Sequence, residues 1–231
     1  MFLYQPKEGY RYNSDSIFLY DFARRFSPKG RLLDIGCGVG ILSLLLSRDF
    51  SLQATIIDKQ ESMLAYAKHN FGLNGLSVEA VLGDIGVYHT DQRFETIVSN
   101  PPFYDSNVTQ SENTHLNTAR YAHHMPIEVL VHSVKRLLTP RGYFLFCYDA
   151  KQVDKVLQVL REAGLNPEQL RFVHPKVDRE AKIVMIAARA ASKSMTKVLP
   201  PLIVFDEESH YHEEPRAAFE KADTHSIKAD R

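Results

Sequence analysis

The sequence has few cysteines, no net charge and no long hydrophobic segment, and each absence excludes a class of protein. Among its 231 residues, Cys37 and Cys147 are by themselves too few for a disulfide framework or a four-cysteine zinc site. Lysine plus arginine and aspartate plus glutamate number 28 each, so bulk charge alone would not bind a polyanion. No apolar run reaches the ~18 residues of a membrane span, and no secretion signal is visible at the start. The sequence therefore favours a cytoplasmic protein outside membranes.

Short apolar runs alternate with segments of helical periodicity between residue 31 and about residue 190. The predicted strands are residues 31–35, 54–57, 78–82, 94–99, 143–147, 172–173 and 182–188. The predicted helices are residues 41–46, 60–70, 126–138 and 153–163, the third ended by Pro140-Arg141-Gly142. This alternation predicts an α/β protein with a seven-stranded, mostly parallel sheet and helices on both faces. The connection over residues 175–181 is too short for a helical crossover and predicts a terminal antiparallel hairpin.

A glycine-rich segment, Asp34-Ile35-Gly36-Cys37-Gly38-Val39-Gly40, connects the first predicted strand to the first predicted helix. Glycines at alternate positions allow a tight turn and a close approach of the backbone to a ligand at the helix amino terminus. The spacing differs from the dinucleotide pattern G-x-G-x-x-G, and the carboxylate of Asp34 would repel a pyrophosphate. The segment therefore predicts a ligand that has no phosphate at this position.

Two further acids follow the next two predicted strands. Asp58 lies 18 residues after Gly40, where a carboxylate can accept hydrogen bonds from both hydroxyls of a ribose or can cap the following helix. Asp84 follows the third strand, where it can accept a hydrogen bond from an adenine amino group. We include the neighbouring Lys59 and Ile85 in the same candidate site. Three acids after three consecutive strands suit a neutral or cationic adenosine ligand, and S-adenosylmethionine fits that description.

The fourth predicted strand ends in Asn100-Pro101-Pro102-Phe103, which predicts a site that grips a planar amino group. Neither proline has an N–H, so the segment offers carbonyl acceptors and cannot continue a central strand. The carboxamide oxygen of Asn100 adds a second acceptor, so both hydrogens of an adenine amine can be held. This grip would direct the nitrogen lone pair at the methyl group of a sulfonium, at a separation of about 3 to 3.5 Å. Phe103 would stack on the base.

Together, these four sites resemble class I S-adenosylmethionine-dependent methyltransferases that act on amino groups, whose signature is [DNS]-P-P-[YFW]. The resemblance implies a Rossmann-like fold and S-adenosylmethionine as cofactor. It also implies a role for each part of the pattern: the methionine part of the cofactor on Gly36, Gly38 and Gly40, the ribose on Asp58, the adenine on Asp84 and the target amine on residues 100–103. Cys37 stands where this family often has a small residue.

Two further segments give a narrower resemblance, to bacterial tRNA adenine N(6)-methyltransferases that act at position 37 of valine tRNA. These segments are the opening residues 5–16 and Thr118-Ala119-Arg120-Tyr121. The resemblance implies an RNA substrate, most plausibly tRNA, contacted by Asp15, Arg120 and Tyr121. It also implies a methyltransferase domain over residues 1–190, with residues 1–30 covering the substrate and cofactor. Residues 191–231 would form a partly ordered extension that folds back over 199–205 and then frays.

A local excess of positive charge offers a candidate RNA contact. Residues 171–197 contain seven basic side chains and two acidic ones, and Lys176, Arg179 and Lys182 are the candidates that we select. A solvated surface explains such a cluster equally well. His210-Tyr211-His212-Glu213-Glu214 has no distant partner ligand of suitable spacing, so we expect no metal site. His123 and His124 are expected to contact solvent or RNA. We favour a monomer.

Several other functions stay open at this stage. Methylation of a glutamine amide in a release factor uses the same grip, although those enzymes carry a helical domain before the glycine loop and only 33 residues precede Asp34 in this sequence. Guanine-specific ribosomal RNA methylation is disfavoured by the same count. DNA adenine methylation has no visible recognition domain. An RNA-binding protein without activity would not need the residues 100–103, and the glycine spacing disfavours a nicotinamide oxidoreductase.

Overall fold

The computed structural model describes residues 1–7, 11–102 and 125–229. The α-helices of this part of the chain are α1 (Ser14–Arg24), α2 (Ile41–Asp49), α3 (Glu61–Leu73), α4 (Ile127–Leu137), α5 (Val153–Glu162) and α6 (Glu213–Ala222). Its strands are β1 (Phe2–Pro6), β2 (Gly30–Ile35), β3 (Leu52–Asp58), β4 (Glu79–Leu82), β5 (Phe94–Ser99), β6 (Leu138–Asp149), β7 (Leu165–His174), β8 (Ile183–Ala190), β9 (Lys197–Val198), β10 (Leu202–Ile203) and β11 (His225–Ala229).

The large sheet has the strand order β10-β7-β8-β6-β5-β2-β3-β4, and β9 also pairs with β7. Strands β2 to β6 run parallel to one another, whereas β8 is antiparallel to both β6 and β7. Right-handed crossovers put α2 and α3 on one face and α4 on the other, because the chain leaves β2 and β5 in opposite directions. The predicted mostly parallel sheet with a terminal antiparallel hairpin is confirmed.

The described sheet has nine strands, not the seven predicted, because residues after 190 add β9 and β10 beside β7. Strand β7 is also longer than the predicted residues 172–173, since it pairs with β8 along most of its length. Pro167 is accommodated there at a shift of register. The expected stop at residues 140–142 was wrong: α4 ends at Leu137, and β6 starts at Leu138, which pairs with Phe94.

The two ends of the described chain meet in a second, two-stranded sheet. Strand β1 pairs in parallel with β11, with Phe2 opposite His225 and Pro6 opposite Ala229. We call this pair, together with α6, the terminal clasp. The expected fraying after residue 205 was wrong, because α6 and β11 follow. The division of the chain at residue 190 stays a prediction.

The core is formed by the apolar faces of the sheet and of the helices packed on it. Helix α1 is nearly buried and carries Ile17, Leu19 and Phe22 against the rest of the core. The central strands β2, β5 and β8 read as almost continuous apolar runs, as expected for strands covered on both faces. A search of the described helices found none with the length and apolar character needed to span a membrane.

Candidate active site

A cleft of about 580 Å³ opens at the carboxyl ends of the parallel strands, between β2 and β5. These neighbouring strands lead in opposite directions, which makes the position a switch point where sheets of this type bind ligands. The cleft is lined by Ile35, Gly36, Gly38, Ile57, Asp58, Lys59, Gln60, Met63, Gly83, Ile85, Asn100, Pro102 and Met125. A smaller adjoining pocket shares Gly36, Gly38 and Asn100 and extends to Asp34, Cys37 and Ser16. The structure therefore brings together residues predicted from three strand ends.

The glycine segment forms the floor of the cleft. The backbone N–H groups of Gly36 and Cys37 both donate to the carbonyl of Ile57, which ties the loop to the end of β3. Gly36, Gly38 and Gly40 have φ of 69°, 54° and 81°, in the left-handed region that favours glycine. A Cβ at Gly36 would lie 3.1 Å from Cε of Met125, on the opposite wall. Glycine therefore keeps the cleft open at this position.

Asp34 is buried beneath the loop at the amino terminus of α2. Its Oδ2 accepts a hydrogen bond from the backbone N–H of Ser43 at 3.2 Å. Burial raises the pKa of Asp34 to about 6, and the hydrogen bonds from Ser43 only partly offset this. The carboxyl group is thus more easily neutralised than an exposed aspartate, and a nearby cation would favour its charged form.

Asp58 combines the two roles proposed for it. Its Oδ2 accepts from the N–H of Gly38 at 2.9 Å, and its Oδ1 accepts from the N–H of Gln60, just before α3, also at 2.9 Å. A carboxylate has about four acceptor positions, so both oxygens keep capacity for ligand hydroxyls. Burial raises the pKa of Asp58. The side chain therefore anchors the glycine loop and lines the cleft at the same time.

Asp84 lies at the rim, and its immediate neighbours line the cleft. Its Oδ2 forms an ion pair with Nζ of Lys59 at 2.8 Å, and its Oδ1 accepts from the N–H of Gly86. Partial burial works against ionisation, but the Lys59 ammonium holds the pKa of Asp84 below its usual range. Gly83 and Ile85 face the cleft on either side of Asp84. The adenine contact predicted for Asp84 stays a prediction.

Asn100 follows β5 directly and lines both the main cleft and the adjoining pocket. Its Nδ2 donates to Oγ of Ser16 at 3.1 Å, and its Oδ1 accepts from Sγ of Cys147 at 2.9 Å. The preceding Ser99 fixes the end of β5 by donating to the carbonyl of Ile35 at 2.8 Å. The carboxamide is thus held at the point where the glycine floor and the strand-end loop meet.

The rest of the predicted catalytic segment is described in part. Pro101 is buried and Pro102 lines the cleft. Phe103, Arg120 and Tyr121 lie outside the described residues, as do His123, His124 and the residues 8–10 of the opening motif. Their roles stay predictions.

Asp15 lies in the first turn of α1, beside the residue that contacts Asn100. Its Oδ2 accepts from Nδ2 of Asn13 at 2.8 Å. Burial raises the pKa of Asp15, and the Asn13 hydrogen bond opposes this. The charge of Asp15 in turn helps burial to raise the pKa of Cys147. Asp15 therefore lies near the strand-end loop, as the opening motif implies.

The basic cluster divides into internal and surface members. Arg171 is buried and forms a bidentate ion pair with Glu214, at 2.7 and 2.6 Å, so it does not present its charge to solvent. Lys176, Arg179 and Lys182 belong to the β7–β8 connection. This connection lies at the same edge of the sheet as the cleft, because Ile183 pairs with the carboxyl end of β6. Nζ of Lys176 donates to the carbonyl of Glu207.

Sequence reasoning missed several residues of the site, namely Tyr12, Ser16, Met63, Met125 and Cys147. Ser16 directly follows Asp15 in the opening motif, which could have marked it. Cys147 becomes recognisable only through strand pairing, since Ser99 lies opposite Phe146 and the next residues are Asn100 and Cys147. Among the described residues, no group of three or more His, Cys, Asp or Glu side chains is arranged to hold a metal ion.

Comparison with known proteins adds independent findings. The family model described as a methyltransferase small domain matches residues 14–142. A protein of Phocaeicola vulgatus named tRNA1(Val) (adenine(37)-N6)-methyltransferase is 26% identical over 187 residues, which cover 80% of this chain and 79% of that protein. A protein of the same name from Vibrio cholerae is 28% identical over 174 residues, covering 74% and 72% respectively.

Solved structures agree with this on the fold. One neighbour, from Agrobacterium tumefaciens, is described as a predicted O-methyltransferase and superposes with a TM-score of 0.69 at 14% identity. The match covers 93% of this chain and 100% of that one. The Rossmann-like fold that the sequence predicted is thereby confirmed.

Proposed function

Because the chain belongs to the methyltransferase small domain family, we propose that it transfers a methyl group from S-adenosylmethionine to the exocyclic amino group of an adenine in tRNA. The product is N6-methyladenosine near the anticodon, as the names of the Phocaeicola and Vibrio relatives suggest. One observation of this structure carries the proposal: Asn100 and Pro102 face the same cleft as the glycine floor and Asp58.

The cleft has the chemistry that the cofactor requires. S-adenosylmethionine supplies a methyl group bound to a positively charged sulfur. Asp58 would accept hydrogen bonds from the ribose, and Gly36 and Gly38 allow the backbone to approach without a Cβ. Asp34, buried in the adjoining pocket, supplies a carboxylate near the cationic end. Met63 and Ile85 give apolar walls for an adenine ring, beside Asp84 and Lys59.

Asn100 and the prolines act on the target amine. The carboxamide oxygen of Asn100 and a proline carbonyl would each accept one amine hydrogen, leaving the nitrogen lone pair directed at the methyl group. The new N–C bond forms as the S–C bond breaks, and the amine then loses a proton to solvent. A separate general base is not required, because the methylated nitrogen is strongly acidic until that proton leaves. Phe103 is proposed to stack on the base.

A surface beside the cleft is suited to the tRNA backbone. Lys176, Arg179 and Lys182 lie on the β7–β8 connection at the cleft edge of the sheet, and Lys182 and Arg179 are exposed. Asp15, Arg120 and Tyr121 are the other proposed substrate contacts. We further propose that the protein works as a monomer in the cytoplasm, where tRNA is modified.

Labelled cofactor and unmodified tRNA test this function. Protein, total bacterial tRNA and S-adenosylmethionine with a labelled methyl group are incubated, and the RNA is digested to nucleosides. We expect the label in N6-methyladenosine, and we expect Asn100→Ala to lower kcat by about 100-fold or more while the affinity for S-adenosylhomocysteine is kept. Asn166→Ala, at a surface position remote from the cleft, is the matched control.

The same assay separates the alternatives. Label in a release factor would transfer the assignment to glutamine methylation, and label in DNA or in guanosine would change the substrate. Full activity of Asn100→Ala would contradict the proposed grip. A valine tRNA transcript in which position 37 is guanosine then tests the nucleotide.

A further inference from the structure

The carboxamide of Asn100 is held from two sides by side chains of other elements. Ser16, in the first turn of α1, accepts a hydrogen bond from Nδ2 at 3.1 Å, and Cys147, near the end of β6, donates to Oδ1 at 2.9 Å. Ser16 is 4% exposed and Cys147 is fully buried. Both partners are therefore shielded from water, which would otherwise compete for these hydrogen bonds.

We propose that Ser16 and Cys147 are positioning residues that set the orientation of the Asn100 carboxamide for methyl transfer. This inference rests on the proposed function, in which Oδ1 receives an amine hydrogen. A half-turn of the carboxamide exchanges its oxygen and nitrogen, and the amide NH2 would then face the substrate amine, donor against donor. An asparagine without fixed partners would populate both orientations. The two contacts select the productive one.

The chemistry of the two partners agrees with this orientation. Sulfur is a weak acceptor, so a thiol beside the carboxamide favours the oxygen over the nitrogen. Burial and the charge of Asp15 raise the pKa of Cys147, so the sulfur keeps its proton. Because a carbonyl oxygen has two lone pairs, Oδ1 can accept from Cys147 and from a substrate amine together.

The fold makes this arrangement specific. Pairing of β5 with β6 places Ser99 opposite Phe146, so the next residues along each strand, Asn100 and Cys147, lie side by side. Ser16 arrives from α1, whose backbone N–H at Ser16 is fixed to the carbonyl of Asn13. Three separate elements thus meet at one carboxamide. A small buried cysteine that only fills space is the competing explanation.

Four variants test the positioning role in the intact chain. Ser16→Ala and Cys147→Ala each remove one contact, Cys147→Ser keeps a donor, and Ser47→Ala is the control. Ser47 has a buried hydroxyl with no hydrogen-bond partner among the described residues. We expect both contact-removing variants to lower kcat by about 10- to 100-fold, with KM for tRNA and Kd for S-adenosylhomocysteine within about threefold. Cys147→Ser should recover most of the lost rate.

A measurement independent of activity accompanies the kinetics. The side-chain amide signals of Asn100, assigned by their disappearance in Asn100→Ala, should shift in ¹H–¹⁵N spectra of Ser16→Ala and Cys147→Ala but stay in place in Ser47→Ala. Unchanged signals, unchanged kcat in both alanine variants, or equal rate losses in the serine and alanine variants of Cys147 would overturn the inference. Failure of the wild type to methylate tRNA would overturn the proposed function instead, and the spectra would still decide the orientation.

Discussion

Replacing Glu214 by glutamine should weaken the attachment of the terminal clasp to the rest of the fold. Glu214 lies in the first turn of α6 and accepts bidentate hydrogen bonds from the buried Arg171 and a further one from Arg25, at the end of α1, at 2.6 Å. The Arg171 hydrogen bonds lower the pKa of Glu214 from 4.5 to about 2. The charged carboxylate is thus stabilised by the folded state.

The size of the effect follows from that pKa. A difference of 4.5 − 2 = 2.5 units corresponds to an upper limit of about 3.4 kcal/mol. Because the Glu214 side chain is 46% exposed, solvent screening lowers this, and we expect a loss of about 2 kcal/mol for Glu214→Gln at pH 7. For a chain of this length, that loss lowers Tm by about 4 to 8 °C.

The sign of the pH dependence is fixed by the direction of the shift. A depressed folded-state pKa contributes stability that is full above the unfolded pKa of 4.5 and is lost as the pH falls toward 2. The gap between wild type and Glu214→Gln should therefore shrink by roughly 40% between pH 7 and pH 3.5. Urea unfolding at several pH values measures it. Glu220→Gln, at an exposed pair with Arg216, should cost under about 0.5 kcal/mol. A pH-independent gap, or equal losses in both variants, would refute this reasoning.

Two further predictions concern the cleft. Because burial raises the pKa of Asp34 to about 6, its ionised form costs the folded state about 3 kcal/mol at pH 7, and Asp34→Asn should raise the unfolding free energy without ligand. That gain should be absent near pH 4, where Asp34 is protonated in the fold; urea titrations at both pH values check this. Gly40→Ala should cost at least about 1 to 2 kcal/mol, because φ is +81° and the new Cβ would lie 3.0 Å from that of Ala67. Thermal unfolding measures this cost, with Gly72→Ala, which meets no atom within 4 Å, as its control.

The sequence was informative where function depends on local pattern. Asp34, Asp58 and Asn100 each follow an apolar run directly, so strand ends could be located and their shared edge inferred. The antiparallel hairpin followed from the length of one connection. These features depend on neighbours along the chain, which a sequence displays.

Features that depend on distant partners could not be predicted in this way. Strand β1 is short, and its partner β11 lies more than 200 residues away. Ser16 and Cys147 reach Asn100 across 84 and 47 positions, through helix placement and strand register. The position of Asp84 at the rim likewise depends on Lys59, whose ammonium pairs with it.

The pairing of β1 with β11 has a consequence for the order of events during translation. The nascent chain exposes residues 2–6 first, yet their partner strand, residues 225–229, leaves the ribosome after nearly everything else. Contacts of such separation form late, since a long loop must close before they are gained. The helix that carries Ser16 follows β1 directly, so its final seating is expected only once residue 229 has emerged. Until then a nascent polypeptide would hold its strand-end loop without the helix that completes it.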